Sequence, residues 1–180
     1  MKKIFVIVVI ATFLICVGFS GCFDGKDDNA LNNLGYSNTL YGFGLNPPEG
    51  WTIDESNPDI IVSFIGPTYE NGTVNIRIAA GQLETGMTLY DSAMDLMIQY
   101  LDTYFGEYTI NSITNRTIND MNAFEIIYTI IQNEVQVKQK QVWIEKSRKT
   151  LILSYSAISD VFDTYDTVFE ESLSSVVIIW

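Results

Sequence analysis

In this 180-residue sequence, the side chains whose spacing most resembles a catalytic or metal-binding site are carboxylates. Asp160, Asp163 and Asp166 recur at every third position, so on a helix they would share one broad face and could hold a hard cation through oxygen ligands. The same spacing is typical of a helix start, where an N-cap residue and first-turn acids interact favourably with the helix dipole. We favour this second interpretation, because cation sites take further ligands from loops.

Other residue sets for catalysis are missing from the sequence. It contains no histidine, which excludes Ser-His-Asp and Cys-His nucleophiles, His-ligated metals and imidazole acid–base chemistry. It also lacks a Gly-x-Ser-x-Gly turn and a glycine-rich phosphate loop. Glu125 lies in a strongly apolar segment, but Phe124 and Ile126 take the inner positions, which predicts that Glu125 points to the outer face. We therefore predict a protein that is not an enzyme and holds no metal or cofactor.

The basic residues are concentrated in one stretch of an acidic chain with a net charge of −12. This charge argues against a nucleic-acid partner, which needs a basic surface. The clustered cations predict a positive patch on a β-hairpin that faces anionic headgroups or an acidic partner. An equally good interpretation is that lysines protect an exposed strand edge from pairing. The cations of the predicted patch are Lys138, Lys140, Lys146, Arg148 and Lys149.

The N-terminus has the pattern of a targeting segment. Lys2 and Lys3 precede an apolar run over residues 4–19, and Phe19-Ser20-Gly21-Cys22 follows. Small residues before a cysteine resemble the lipobox of bacterial and archaeal lipoproteins, which implies cleavage before Cys22 and lipid attachment to it. The alternative is an uncleaved anchor helix. Both place the rest of the chain on the extracytoplasmic face of the cell membrane.

The remaining sequence predicts a short tether and one domain. Residues 1–21 form the signal peptide or membrane segment, residues 22–38 a polar, lipid-anchored tether, and residues 39–180 the domain. Within the domain we predict strands at 41–45, 60–65 and 74–80, a helix over 88–105, four strands between 108 and 157, and a second helix. Thr88 is the predicted N-cap of the first helix, and Ser159 or Asp160 that of the second. A phase shift in the apolar pattern predicts a β-bulge near residues 138–141.

This order predicts an α+β fold, because strands joined by short turns must be antiparallel. We expect a sheet of about six or seven strands covered by two main helices. The segments below resemble the PsbP-like family, named after an extrinsic subunit of photosystem II. That resemblance implies an α/β/α sandwich and a non-catalytic role in binding or assembly. The segments are Tyr41-x-Phe43-x-Leu45-x-x-Pro48-x-Gly50-Trp51, Gln141-Val142-Trp143-Ile144 and Leu151-x-Leu153-x-Tyr155-x-Ala157.

The function expected from the sequence is that of a membrane-anchored lipoprotein whose domain binds another envelope protein. One alternative is a carrier of a small apolar ligand in a pocket between sheet and helix. A third hypothesis is a metal-assisted hydrolase that uses the carboxylates. Asn71 and Asn115 each begin an Asn-x-Thr sequence, the acceptor pattern for N-glycosylation.

Overall fold

The computed structural model describes residues 28–180. The predicted leader, with its apolar segment 4–19 and Cys22, lies outside the described residues. A short 3-10 helix, Asp28–Ala30, comes first. The elements after it are β1 (Tyr36–Asn38), β2 (Phe43–Leu45), β3 (Thr52–Asp54), β4 (Val62–Tyr69), β5 (Gly72–Gln82), α1 (Leu89–Tyr104), β6 (Tyr108–Ile118), β7 (Met121–Gln132), β8 (Val135–Lys146), β9 (Lys149–Ile158), α2 (Ser159–Ser174) and β10 (Val177–Ile178).

Seven of the strands form one antiparallel sheet in the order β3-β4-β5-β9-β8-β7-β6. Strands β6 to β9 lie side by side in chain order. Strand β5 pairs with β9, and α1 connects β5 to β6 at the far edge of the sheet. A second sheet has the order β1-β2-β10. The predicted antiparallel sheet of six or seven strands with two main helices is confirmed. The small sheet is an addition that the sequence patterns did not predict.

The two helices cover opposite faces of the large sheet. On one face α1 packs through Ala93 and Leu101 against Ile126 and its neighbours. On the other face α2 packs through Phe169 against Leu153, and the small sheet extends the same core. Burial of each leucine, isoleucine or phenylalanine side chain among these contributes about 1.5–3 kcal/mol to folding. The predicted α/β/α sandwich is therefore confirmed, and the central strands are covered on both sides.

The two helix starts differ from each other. Thr88 is the N-cap of α1, and its hydroxyl accepts a hydrogen bond of 3.1 Å from the backbone N–H of Asp91, as predicted. At α2 the N-cap position is Ile158, and no side chain caps the helix. The prediction that Ser159 or Asp160 caps it is wrong, because β9 runs directly into the helix and leaves no loop residue for that position.

The folded domain begins earlier in the chain than predicted. Leu31 is buried in the core, and β1 pairs with β2 from Tyr36 opposite Leu45 to Asn38 opposite Phe43. The chain therefore belongs to the folded domain from about Leu31, so the predicted boundary at residue 39 is wrong. Within residues 28–180, neither helix is long and apolar enough to cross a bilayer.

The predicted β-bulge is absent from β8. The pairing of β8 with β7 runs without a register shift from Val135 to Glu145, and its pairing with β9 runs from Val137 to Lys146. The apolar phase changes for another reason. Because helices cover both faces of β8, polar residues in the middle of the strand are buried against partners on both sides.

Three tight turns connect the strands of the β6–β9 meander. The central residues of each turn have φ between 48° and 68°, the left-handed conformation of type I′ hairpins. None of these six residues is glycine, although the conformation costs an L-residue roughly 1 kcal/mol or more. The turns are Asn119-Asp120, Asn133-Glu134 and Ser147-Arg148.

Replacing Glu134 with glycine should stabilise the protein. Glu134 has φ 68° and is exposed, and Asn-Gly is the preferred type I′ pair. We expect the free energy of unfolding to rise by about 0.5–1 kcal/mol, measured by urea denaturation. Glu134→Ala is the control, because it removes the same carboxylate but keeps a Cβ. Equal stability of the two variants would contradict the turn argument.

Candidate functional site

A partly buried set of charged side chains lies between α2 and the sheet, and we call it the ion-pair cluster. It consists of Arg116 on β6, Glu125 on β7, Lys140 on β8, and Asp166 and Glu170 on α2. The Arg116 guanidinium donates to both oxygens of Glu170, at 3.0 Å and 2.8 Å, and also to Glu125. Lys140 Nζ donates to Glu170 Oε1 at 2.9 Å. Cations from two strands thereby hold α2 to the sheet.

Lys140 also contacts Asp166 in this cluster. Its ammonium forms an ion pair with Asp166 Oδ1, although that oxygen accepts no hydrogen bond with good geometry. The Lys140 side chain is only 5% exposed, so its charge depends on these partners. Burial alone lowers the pKa of Lys140, but the contacts of its ammonium with the Asp166 and Glu170 carboxylates raise the pKa above its ordinary value. Hydrogen bonding to Glu170 likewise raises the pKa of Arg116.

The cluster makes stability depend on acid pH. Burial alone raises the pKa of Glu170, but hydrogen bonds from Arg116 and Lys140 bring it below the ordinary value of 4.5. Because the folded pKa lies below the unfolded one, the carboxylate's stabilising contribution is complete above pH 4.5 and is lost as the pH falls through the folded pKa. The free energy of unfolding, measured with urea, should therefore fall more steeply below pH 4.5 for the wild type than for Glu170→Gln.

The control for this pH dependence is Glu171→Gln, the exposed neighbour on the same helix. It should follow the wild-type pH profile, because its carboxylate lies outside the cluster. The same loss of acid dependence in both variants would contradict the assignment to Glu170.

The three helix acids do not converge on one site. Asp160 is exposed in the first turn, Asp163 pairs with Lys138 at 3.3 Å, and Asp166 pairs with Lys140. In the part of the chain that the structure describes, no group of three or more acidic or thiol side chains is arranged to hold a metal ion. Glu125 was predicted to face outward, but it lies on the α2 face with its side chain only 12% exposed and pairs with Arg116.

The five cations of the predicted patch do not form one surface. Lys138 and Lys140 point toward α2, and Lys140 is buried, so the prediction of a solvent-facing patch is wrong for Lys140. The other three lie at the β8–β9 turn. Their contacts are a bond from Lys146 Nζ to the Ile178 carbonyl at 2.6 Å, bonds from Arg148 to the carbonyls of Leu83 and Glu84, and the ammonium of Lys149 5.8 Å from the ring centre of Trp180.

A second set of polar side chains is buried on the α1 face of the sheet, and we call it the polar floor. Two rows cross the sheet there in register. In one row Asn75 on β5, Ser156 on β9, Gln139 on β8 and Tyr128 on β7 stand opposite one another. The neighbouring row contains Ser63, Arg77, Ser154 and Gln141. Apart from Arg77, which is partly exposed, these side chains are buried.

Hydrogen bonds join one end of the polar floor into a chain. Trp143 Nε1 donates to Gln141 Oε1 at 3.1 Å, and Gln141 Nε2 donates to the Tyr128 hydroxyl at 3.2 Å. The Tyr128 hydroxyl in turn donates to Gln139 Oε1 at 2.6 Å. Each bond fixes the orientation of the next group.

Three polar atoms of this region are buried without a hydrogen-bond partner among the protein groups. They are Gln139 Nε2, Asn75 Oδ1 and the hydroxyl of Tyr100 on α1. Burial raises the pKa of Tyr100, and the nearby Arg77 opposes that shift. Burial lowers the pKa of Arg77, and the hydroxyls of Tyr100 and Tyr128 oppose that in turn. The guanidinium and both hydroxyls therefore lie close enough to interact electrostatically.

Sequence reasoning missed the polar floor. Asn75 and Arg77 lie in the strand predicted at 74–80, and Gln139 and Gln141 lie where a bulge was predicted, but no prediction brought the four residues together. The available signal was that Gln139 and Gln141 alternate with the same period as Val137 and Trp143, both of which are buried on the α1 face. Every second residue of a strand lies on the same face, so this spacing predicts one inward face that is polar at its centre.

An open pocket of about 410 Å³ lies beside edge strand β6. Its lining includes Glu107 just before β6, Tyr108 at the start of β6, Thr129 and Ile131 on β7, and Gln136 on β8. It is not an apolar pocket between sheet and helix of the kind expected for the ligand-carrier alternative.

The two predicted glycosylation asparagines are accessible. Asn71 lies in the turn between β4 and β5, and Asn115 lies on edge strand β6, and both are exposed. Their modification stays a prediction.

No sequence-family model and no curated protein matches this chain. Solved structures do resemble it. The solution structure of cyanobacterial PsbP (CyanoP) from Synechocystis sp. PCC 6803 superimposes with a TM-score of 0.63, at 18% identity, over 80% of this chain and 91% of that one. The chain has a PsbP-like fold.

Two further structures share this PsbP-like fold. LpqN of Mycobacterium tuberculosis, described as involved in cell envelope biogenesis, gives a TM-score of 0.59 at 15% identity, over 77% of this chain and 83% of that one. PA94 of Pseudomonas aeruginosa, described as a putative regulator, gives 0.55 at 11% identity, over 73% and 86%. At these identities the likeness shows the fold alone.

Proposed function

We propose that this protein is an extracytoplasmic, membrane-anchored module that binds another envelope protein and has no catalytic activity. The observation that carries the non-catalytic assignment is the ion-pair cluster. Its carboxylates, Glu125, Asp166 and Glu170, are engaged by Arg116 and Lys140. Neutralised pairs of this kind serve to hold elements together and are poorly suited to supply a general acid or base.

The envelope assignment is supported by the N-terminal sequence and by the fold shared with LpqN. Lipid attachment at Cys22 is testable directly. We expect the N-terminal peptide of the mature protein to carry lipid on Cys22 by mass spectrometry. We also expect Cys22→Ser to prevent lipid attachment. An unmodified Cys22 in an uncleaved chain would favour the anchor-helix alternative.

The partner surface that we propose is the β8–β9 turn, where Lys146, Arg148 and Lys149 remain partly or fully exposed. The test is site-specific photo-crosslinking in native membranes with the crosslinker at Ser147. The matched control carries it at Asn133, the equivalent position of the β7–β8 turn at the opposite end of the meander. We expect one protein crosslinked from Ser147 and not from Asn133. Equal labelling from both positions, or none, would contradict this surface.

The two other functions are less well supported. A carrier of an apolar ligand needs an apolar space between sheet and helix, whereas the α1 face is polar at its centre. A metal-assisted hydrolase needs carboxylates that are free to bind a cation, whereas Asp163 pairs with Lys138, and Asp166 and Glu170 both pair with Lys140.

A further inference from the structure

The hydrogen-bond chain of the polar floor has a fixed direction. The Trp143 indole N–H can only donate, so it holds Gln141 with Oε1 toward the indole. Gln141 must then offer its amide N–H to the Tyr128 oxygen, and Tyr128 must give its proton to Gln139 Oε1. Because Gln139 Oε1 accepts that bond, the amide N–H groups on Nε2 are left for another partner. The chain ends in a buried N–H donor with no acceptor in the protein.

The surroundings of that donor favour negative charge. Arg77 is close enough to the hydroxyls of Tyr100 and Tyr128 to interact with both, and it has contacts of its own. Tyr100 adds a second buried group, a hydroxyl without a partner. Asn75 donates through Nδ2 to the Thr73 carbonyl at 3.0 Å, which leaves Oδ1 as a buried acceptor. Buried polar groups without partners are uncommon in folded proteins and call for a ligand or water.

We propose that the polar floor binds a small oxyanion, the carboxylate or phosphate group of a ligand. Gln139 Nε2 and the Tyr100 hydroxyl donate hydrogen bonds to its oxygens, and the Arg77 guanidinium supplies positive potential. Asn75 Oδ1 accepts a hydrogen bond from a hydroxyl of the same ligand. This site lies on the α1 face, away from the β8–β9 turn, and does not depend on the proposed partner binding.

The test uses the full chain in a non-ionic detergent. Sodium phosphate and sodium succinate are titrated separately at constant ionic strength, with sodium chloride as the reference, and the side-chain amide signals of Gln139 are followed by NMR. We expect a saturable shift of these signals with at least one oxyanion. If neither free anion shifts these signals more than chloride does, and the phosphatidylglycerol nanodiscs described next do not shift them either, the proposal is overturned, because the unpartnered atoms are then satisfied by buried water only.

A second arm identifies the source of the oxyanion. The protein in nanodiscs of phosphatidylglycerol is compared with the protein in nanodiscs of phosphatidylcholine. A Gln139 shift with phosphatidylglycerol alone supports the oxyanion site and assigns a lipid headgroup. A shift with free phosphate or succinate supports the site and assigns a soluble ligand.

Two substitutions localise the binding. Tyr100→Phe removes a donor, and Gln139→Glu replaces a donor with an acceptor while keeping the bond from Tyr128. Each should weaken oxyanion binding by about tenfold or more. The matched controls are Tyr104→Phe, an exposed tyrosine on α1, and Gln136→Glu, an exposed position on β8. In the Gln139→Glu variant, which has no side-chain amide at this position, binding is followed by the chemical shift of the backbone N–H of residue 139.

Tyr100→Phe also separates binding from folding. Because it removes a hydroxyl without a partner, it should leave urea stability unchanged or slightly higher. If Gln139→Glu does not fold, Tyr100→Phe decides the matter. Unchanged oxyanion affinity in Tyr100→Phe would overturn the proposal.

Discussion

Replacing Lys140 with methionine should lower the free energy of unfolding by about 2–3 kcal/mol. The substitution keeps most of the side-chain volume but removes the cation that Asp166 and Glu170 face. Asp166 then loses its ion pair, whereas Glu170 keeps Arg116. The effect is below that of a fully buried pair, because both carboxylate side chains are about one-third exposed, at 35% and 32%. Urea denaturation is the appropriate measurement, since guanidinium would screen the charges.

The matched control for this prediction is Lys138→Met, two residues away on the same face of β8. Lys138 pairs with Asp163, whose side chain is 89% exposed, so the loss should stay below about 1 kcal/mol. A double-mutant cycle with Asp166→Asn should show positive coupling with Lys140→Met and none with Lys138→Met. Equal destabilisation by the two lysine variants would show that burial of the ion pair does not determine the loss of stability.

Tyr128→Phe should destabilise the protein by about 2–4 kcal/mol, although it removes only one oxygen atom. The Tyr128 hydroxyl accepts from Gln141 and donates to Gln139. Its loss leaves a buried amide N–H and a buried amide oxygen unpaired, and each such group costs about 1–3 kcal/mol. The measurement is again urea denaturation, with thermal unfolding as a second probe.

Tyr100→Phe is the control for this second prediction, because both tyrosines are buried on the same face and only Tyr128 has protein partners. The same chemical change should therefore have opposite consequences at the two positions. A similar loss of stability in both variants would mean that Tyr100 has a structural partner, such as a tightly held water molecule. A neutral Tyr128→Phe would mean that the hydrogen-bond chain relaxes without loss.

Local patterns predicted the elements well. The apolar stripe and Thr88 cap predicted α1, and the alternation from Phe124 to Ile130 predicted β7. The patterns predicted the inward and outward faces less well. Alternation assigns one wet side to each strand, but helices cover both sides of β8. Lys140 and Gln139 are therefore both buried, on opposite faces, and no single-strand pattern distinguishes this from a surface strand with a bulge.

The candidate site could not be predicted because it is assembled across strands. Asn75 and Gln139 lie in one row only because β9 stands between β5 and β8, a pairing that depends on the crossover through α1. The ion-pair cluster depends on α2 in the same way, since Arg116 reaches Glu170 from an edge strand. Residue types alone indicated charged groups but not their partners.

The pairing of β5 with β9 also has a consequence for how the chain is made. Synthesis is N-terminal first, so β5 is complete while its partner strand lies about 70 residues further along the chain. During that delay β5 is an unpaired edge, and such edges promote aggregation. Asn75 and Arg77 interrupt its apolar run from Val74 to Ala80 in the manner of gatekeeper residues. The polar floor would thus protect the nascent chain before it can serve the finished fold.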